Sequence, residues 1–159
     1  MDEEEILTKG LQQGYAGGTQ VEKVQRGSFT LKSSHWEEDG KEYHDEWAAD
    51  RVGGGQELIK VGGKKYARVY AGGTILEEEL KKLGIKIKDI TGKLKEFITE
   101  YGDKTRLYKD FLPESEGDWR YEYKIIDKED GIPVTTGKES IFYKDTLVFV
   151  HVLTLCPVE

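Results

Sequence analysis

Glu57 and Glu139 are the residues of this chain best placed to do chemistry. Each follows a glycine by two positions (Gly55-x-Glu57, Gly137-x-Glu139), opens a β-patterned run, and shares its face with an isoleucine two residues on, Ile59 or Ile141. A carboxylate on a half-buried sheet face is disfavoured as the anion. Its pKa is expected to rise, which makes it a candidate acid or base. The alternative is structural: a glutamate at a strand start, paired with Arg51, Arg68 or Lys138. His44-Asp45 is enzyme-like by residue type, but neighbours on a strand point to opposite faces and cannot act together. His151 lies in an apolar run and reads as a hydrogen-bonded core residue. His35, His44 and His151 show no metal-ligand spacing and Cys156 stands alone, so neither a metal nor another cofactor is expected. There is no G-x-S-x-G nucleophile motif. Gly14-Tyr15-Ala16-Gly17-Gly18 lacks the Lys-Ser/Thr pair and the preceding strand of a phosphate-binding loop.

These residues need a sheet to hold them. Tyr43 to Ala49, Glu57 to Val61 and Lys65 to Ala71 alternate with aromatic and β-branched residues, the pattern of strands. Gly62-Gly63 predicts a tight hairpin, and Gly53-Gly54-Gly55 a looser loop or bulge. The same shape returns at Trp119 to Ile126, Glu139 to Tyr143 and Leu147 to Leu155. Tyr43 matches Tyr121, Glu57 matches Glu139, and Tyr66 to Tyr70 matches Val148 to Val152. This reads as an internal duplication of a three-strand meander, residues 37–73 and 117–155, in a single domain of residues 1–159. One inner face would gather Tyr15, Tyr43, Asp45, Glu57, Arg68 and Tyr70, with Glu139 as the pseudo-symmetric partner of Glu57. Tyrosine hydroxyls and an arginine on a concave face suit a small ligand.

The remaining elements follow from caps and periodicity. Asp2 to Gln13 predicts an amphipathic helix stopped by Gly14. Val21 to Val24 is extended and Phe29 to Trp36 is a strand. Thr74 caps a helix over Ile75 to Leu83, and Gly84 to Asp89 is a linker. Thr91 caps a second helix, Gly92 to Tyr101, whose Leu94, Phe97, Ile98 and Tyr101 should pack on the sheet. Leu147 to Leu153 is nearly all apolar, as expected of a strand covered on both faces. The fold class is therefore α+β: an antiparallel sheet of two related meanders with an N-terminal and a central helix packed on it.

Composition sets the partners. A net charge of −7 argues against a general nucleic-acid grip. No apolar run reaches membrane-spanning length, and the acidic start Asp2-Glu3-Glu4-Glu5 is the opposite of a signal peptide. One cysteine excludes an internal disulfide and fits a reducing cytoplasm. The absence of asparagine, with abundant Glu and Lys, is the bias of proteins from hot environments. Three functions remain: a small-molecule-binding or accessory domain, a metal-independent hydrolase or isomerase with Glu57 or Glu139 as base, and an interaction module that forms a homodimer through an edge strand.

Several of these residues also form a recognisable series. Tyr15-Ala16-Gly17-Gly18, Arg26-Gly27-Ser28, Tyr43-x-Asp45, Gly55-x-Glu57 and Tyr70-Ala71-Gly72, then Arg106 to Tyr108, Gly117-Asp118-x-x-Tyr121 and Gly137-x-Glu139, resemble a prokaryotic family, domain of unknown function 5680. The family's proline between the arginine and glycine of the second motif is missing. Its H-x-H-G after the last strand is replaced by Val152-Leu153-Thr154-Leu155. Some members follow a helix-turn-helix segment, for which the residues ahead of Gly14 leave no room. The resemblance implies a fold and the position of a site, and no reaction.

Overall fold

A computed structural model describes residues 20–159 apart from 50 and 116. The expected first helix, the glycine-rich turn after it and Tyr15 lie outside the described residues. Eight strands form one antiparallel sheet in the order β1-β2-β3-β4-β5-β8-β7-β6. They are β1 (Glu22–Arg26), β2 (Phe29–Glu38), β3 (Lys41–Ala49), β4 (Val52–Val61), β5 (Lys64–Thr74), β6 (Trp119–Lys128), β7 (Thr135–Tyr143) and β8 (Thr146–Pro157). Two helices, α1 (Glu77–Leu83) and α2 (Ile87–Tyr101), lie between β5 and β6.

The α+β class is thus corrected to a β-dominated architecture, in which, among the described residues, two short helices accompany a single large sheet. Two physical reasons account for the difference. β1 and β2 extend the first meander to five strands. Gly53-Gly54-Gly55, expected as a looser loop or bulge, is regular strand within β4, paired with Ala49 to Trp47 on one side and Gly72 to Tyr70 on the other. Added Cβ atoms at Gly53 and Gly54 would meet neighbouring backbone at 2.0 and 2.5 Å, so glycine here serves close strand approach and not a turn.

The hairpins follow backbone chemistry. Gly62 and Gly63 both have positive φ, 53° and 80°, as a two-residue turn of twist-matched hand requires. Lys144 and Asp145 adopt the same hand at φ 46° and 62°. Helix α2 begins at Ile87, inside the expected linker and well before Thr91. The carboxylate of Asp89 accepts the Lys86 backbone N–H at 2.7 Å and caps the helix there. Ile90, Leu94 and Ile98 recur at helical spacing and are buried with Tyr43, Ile59, Tyr66, Tyr121, Ile141, Phe149 and Leu153 in one core. Each such aliphatic side chain contributes roughly 1.5–3 kcal/mol by burial.

The two meanders β3–β5 and β6–β8 differ in length and register. Tyr43 and Glu57 are 14 residues apart, Tyr121 and Glu139 are 18 apart, and the surplus lies in the β6–β7 connection. β8 carries an irregularity: Ile141 pairs with Phe149 and Phe142 with Leu147, so Val148 is an extra residue. The expected match of Tyr66 with Val148 is therefore one residue out. In register, Ile59 faces Tyr66 as Ile141 faces Phe149. β8 is also not covered on both faces, because Leu147 and Val152 are exposed. Among the described residues no helix is long and apolar enough to cross a membrane.

Candidate functional site

Strand alternation turns two rows of side chains toward α2. In the first row Asp45, Glu57 and Arg68 stand side by side on β3, β4 and β5. In the second, Tyr123, Glu139 and His151 stand side by side on β6, β7 and β8. Tyr43 and Tyr121 lie next along their strands and donate to the two glutamates, Tyr43 Oη to Glu57 Oε1 at 2.8 Å and Tyr121 Oη to Glu139 Oε2 at 2.7 Å.

Two buried arginines complete the network. Arg68 Nε donates to Glu57 Oε2. Arg106, from the segment after α2, grips Glu139 with two parallel hydrogen bonds of 2.8 Å, from Nε and Nη2. Its Nη1 also lies 3.6 Å from Glu57 Oε1, so one guanidinium spans both carboxylates. The Arg106 carbonyl accepts from Arg68 Nη1 at 3.2 Å. Arg106 has φ 59°, a left-handed conformation that costs a non-glycine residue about 1 kcal/mol or more. That local strain is offset by the ion pairs the turn makes possible.

The glycines of the two G-x-E steps clear space for tyrosine. A Cβ on Gly137 would lie 2.1 Å from Tyr123 Oη, and one on Gly55 would lie 2.6 Å from Tyr70 Oη. Tyr123 then donates to the Leu107 carbonyl at 2.6 Å, and Tyr70 donates to Asp45 Oδ1 at 2.9 Å.

The electrostatics reverse the expectation for the glutamates. Burial pushes Glu57 and Glu139 upward, but the adjacent guanidinium charges and hydrogen bonds outweigh it, and both end below the ordinary carboxylate value. At neutral pH both are anions and poor bases. Asp45 behaves oppositely. Burial and the neighbouring Glu57 anion raise it from 3.8 to about 8, against the opposing hydrogen bond from Tyr70. At neutral pH it is largely protonated. Burial likewise raises the Tyr43, Tyr70 and Tyr121 hydroxyls, with the nearby carboxylates adding to the shift, so they stay neutral donors.

The network reaches solvent between α2 and the sheet. A cleft of about 430 Å³ lies between α2 and the sheet, with Asp45, Tyr70, Arg106 and His151 among its lining residues. Trp47, Leu94 and Phe149 give it apolar walls, and Lys32, Arg51 and Lys95 add cations. His151 packs against Tyr70 and Phe149, with ring centroids 5.3 and 4.4 Å away. Its buried Nδ1 has no hydrogen-bond partner and lies 3.6 Å from Glu139 Oε1. A larger cavity of about 630 Å³ lies at the opposite end of β5 and β8, beside Lys64, Lys65 and Lys128, and touches none of the buried network.

Of the residues expected at the site, Asp45 and Tyr70 line the cleft. Tyr43, Glu57, Arg68 and Glu139 are fully buried beneath it and hold it in place. Sequence reasoning gave Arg106 no site role, because its turn is set by a left-handed residue that no local pattern announces. It treated His151 as core. The signal available for His151 was its place opposite Glu139, visible only once the β8 irregularity is known. No protein-family model, curated protein or solved structure matches this chain.

Proposed function

We propose that the protein binds a small anionic molecule in the cleft between α2 and the sheet. The observation that carries this reading is the charge of the walls. In a chain of net charge −7, the cleft collects Lys32, Arg51 and Lys95 beside Arg106, whose charge is shared by Glu57 and Glu139, while the one carboxyl group among the described lining residues, Asp45, is held largely protonated. Cations on low-dielectric walls raise the local concentration of an anion. The neutral Asp45 carboxyl and the His151 ring supply directional hydrogen bonds beside them. The free Cys156 agrees with the reducing, cytoplasmic setting that belongs to this reading. Kinship with domain of unknown function 5680 is part of the same proposal. Its Y-x-D, G-x-E and Tyr70 motif residues are those that build the cleft floor and the network under it.

The raised pKa of Asp45 favours a second reading, an acid–base enzyme that exchanges a proton with the bound molecule. The acid is then Asp45, and the lowered values of Glu57 and Glu139 favour it over either glutamate. Self-association, the third function expected from the sequence, becomes the reading to pursue if the cleft binds nothing.

A thermal-shift screen of carboxylate- and phosphate-bearing metabolites at pH 7 tests the proposal. A dose-dependent rise in melting temperature is expected, weakened by Lys95→Glu and abolished by Thr91→Trp, which fills the cleft from α2. No anionic hit, or hits indifferent to both substitutions, would overturn it. Chemical change of a hit on incubation, lost in Asp45→Asn, separates the enzyme from the binding domain.

A further inference from the structure

The outer face of the sheet, away from α2, carries a second group of chemistry-bearing side chains. His35 on β2 and His44 on β3 are directly opposite in register. Alternation places Glu37 with His35, and Glu42 and Glu46 with His44, on that same face. The two Nδ1 atoms are 3.2 Å apart, and the ring centroids are 5.4 Å apart at a tilt of 55°. Glu42 and Glu37 approach His35 Nε2 at 3.9 and 4.0 Å, and Glu46 approaches His44 Nε2 at 3.5 Å. A shallow cavity of about 430 Å³ reaches His35, His44 and Glu42.

We propose that His35 and His44 chelate a divalent transition-metal ion of the zinc, nickel or copper class. Two imidazole nitrogens bound to one tetrahedral zinc at about 2.05 Å are separated by about 3.3 Å. The observed separation matches this, so the metal-free rings are already spaced for an ion. Without metal, one Nδ1–H donates to the other Nδ1, and this hydrogen bond keeps the pair facing each other. Imidazole donors select this class of ion over calcium or magnesium. Among the described residues no group of three or more His, Cys, Asp or Glu side chains is placed to hold an ion. The chelate is therefore two-coordinate in protein nitrogen and leaves its other positions to water. Glu42 supplies nearby negative charge, and Lys60 is its register partner on β4. Glu46 is engaged by Arg26 at 2.9 Å and is not a ligand. The bound ion would staple the β2–β3 hairpin, which carries Asp45 on its other face.

Calorimetric titration of the untagged full chain with zinc chloride, in chelator-free buffer at pH 7.5, tests this. One equivalent is expected to bind saturably and to raise the melting temperature. His35→Gln and His44→Gln are each expected to weaken binding by about tenfold or more, and Glu42→Gln by less, since it acts through charge. Both histidines are partly exposed on the sheet surface, so these variants should fold, which circular dichroism checks. Absence of a saturable site would overturn the proposal. So would binding that survives in the double histidine variant, which would mark an adventitious ion only.

Discussion

The two meanders share one frame and use it differently. In β3–β5 the glutamate has an arginine beside it in the sheet, and the third position of the row is Asp45, open to the cleft. In β6–β8 the in-sheet neighbour is His151, the cation arrives from outside the sheet as Arg106, and the third position is Tyr123, closed against the Leu107 carbonyl. A buried carboxylate requires a cation, but the sheet need not supply it. Where the sheet does, an acidic group can be held protonated at the edge of solvent. Where a loop does, that loop seals the row.

Four measurements sharpen or break this contrast. The largest effect is expected for Arg106→Met. It strands Glu139 as an uncompensated buried charge and takes a cation from Glu57, for a loss of about 3–5 kcal/mol in denaturant unfolding. A loss near that of a surface substitution would show that Arg106 does not join the halves. Glu57→Gln should also cost stability, since Glu57 is wholly inside the network; unfolding unchanged from the parent would instead mark a carboxylate that the network does not need.

Asp45 gives the next effect, in pH dependence. In the unfolded chain it loses its proton near 3.8, and in the fold near 8. Between these values unfolding releases a proton, so this group lowers stability as pH rises, by at most about 1.4 kcal/mol per pH unit. Glu57 and Glu139, lowered in the fold, act in the opposite sense. Their contribution is present above the ordinary carboxylate value of 4.5 and is lost as pH falls through it and below. Melting temperatures between pH 5 and 8 should decline with pH in the parent chain and flatten in Asp45→Asn; equal slopes would refute the raised pKa. The smallest effect is expected for Tyr123→Phe, which leaves the Leu107 carbonyl without its 2.6 Å donor and should cost about 1–2 kcal/mol by thermal melting, with no change in pH slope.

Much of the sheet was legible in the chain. Alternation marked the strands of both meanders, and Gly62-Gly63 marked a hairpin, because these signals are local. The inner face that gathers Tyr43, Asp45, Glu57, Arg68 and Tyr70 follows from alternation alone. Three things were not legible. Glycine has two uses, turning and close packing, and the sequence does not say which applies at Gly53-Gly54-Gly55. A single inserted residue in β8 inverts every face after it, and Val148 carries no mark of it. The sign of a buried carboxylate's shift depends on cations distant in sequence, and Arg106 is 33 residues from Glu139.

Arg106 has one more consequence. Its guanidinium lies against a carboxylate from each meander, so neither half can detach without abandoning a charge in the other. The seam between β5 and β8 is thereby protected against partial opening, and the described sheet should melt as one cooperative unit. Agreement between calorimetric and van't Hoff enthalpies checks this. A molecule whose halves differ so much in their openness to solvent would still have a single melting transition, and Arg106 would be the residue that makes it single.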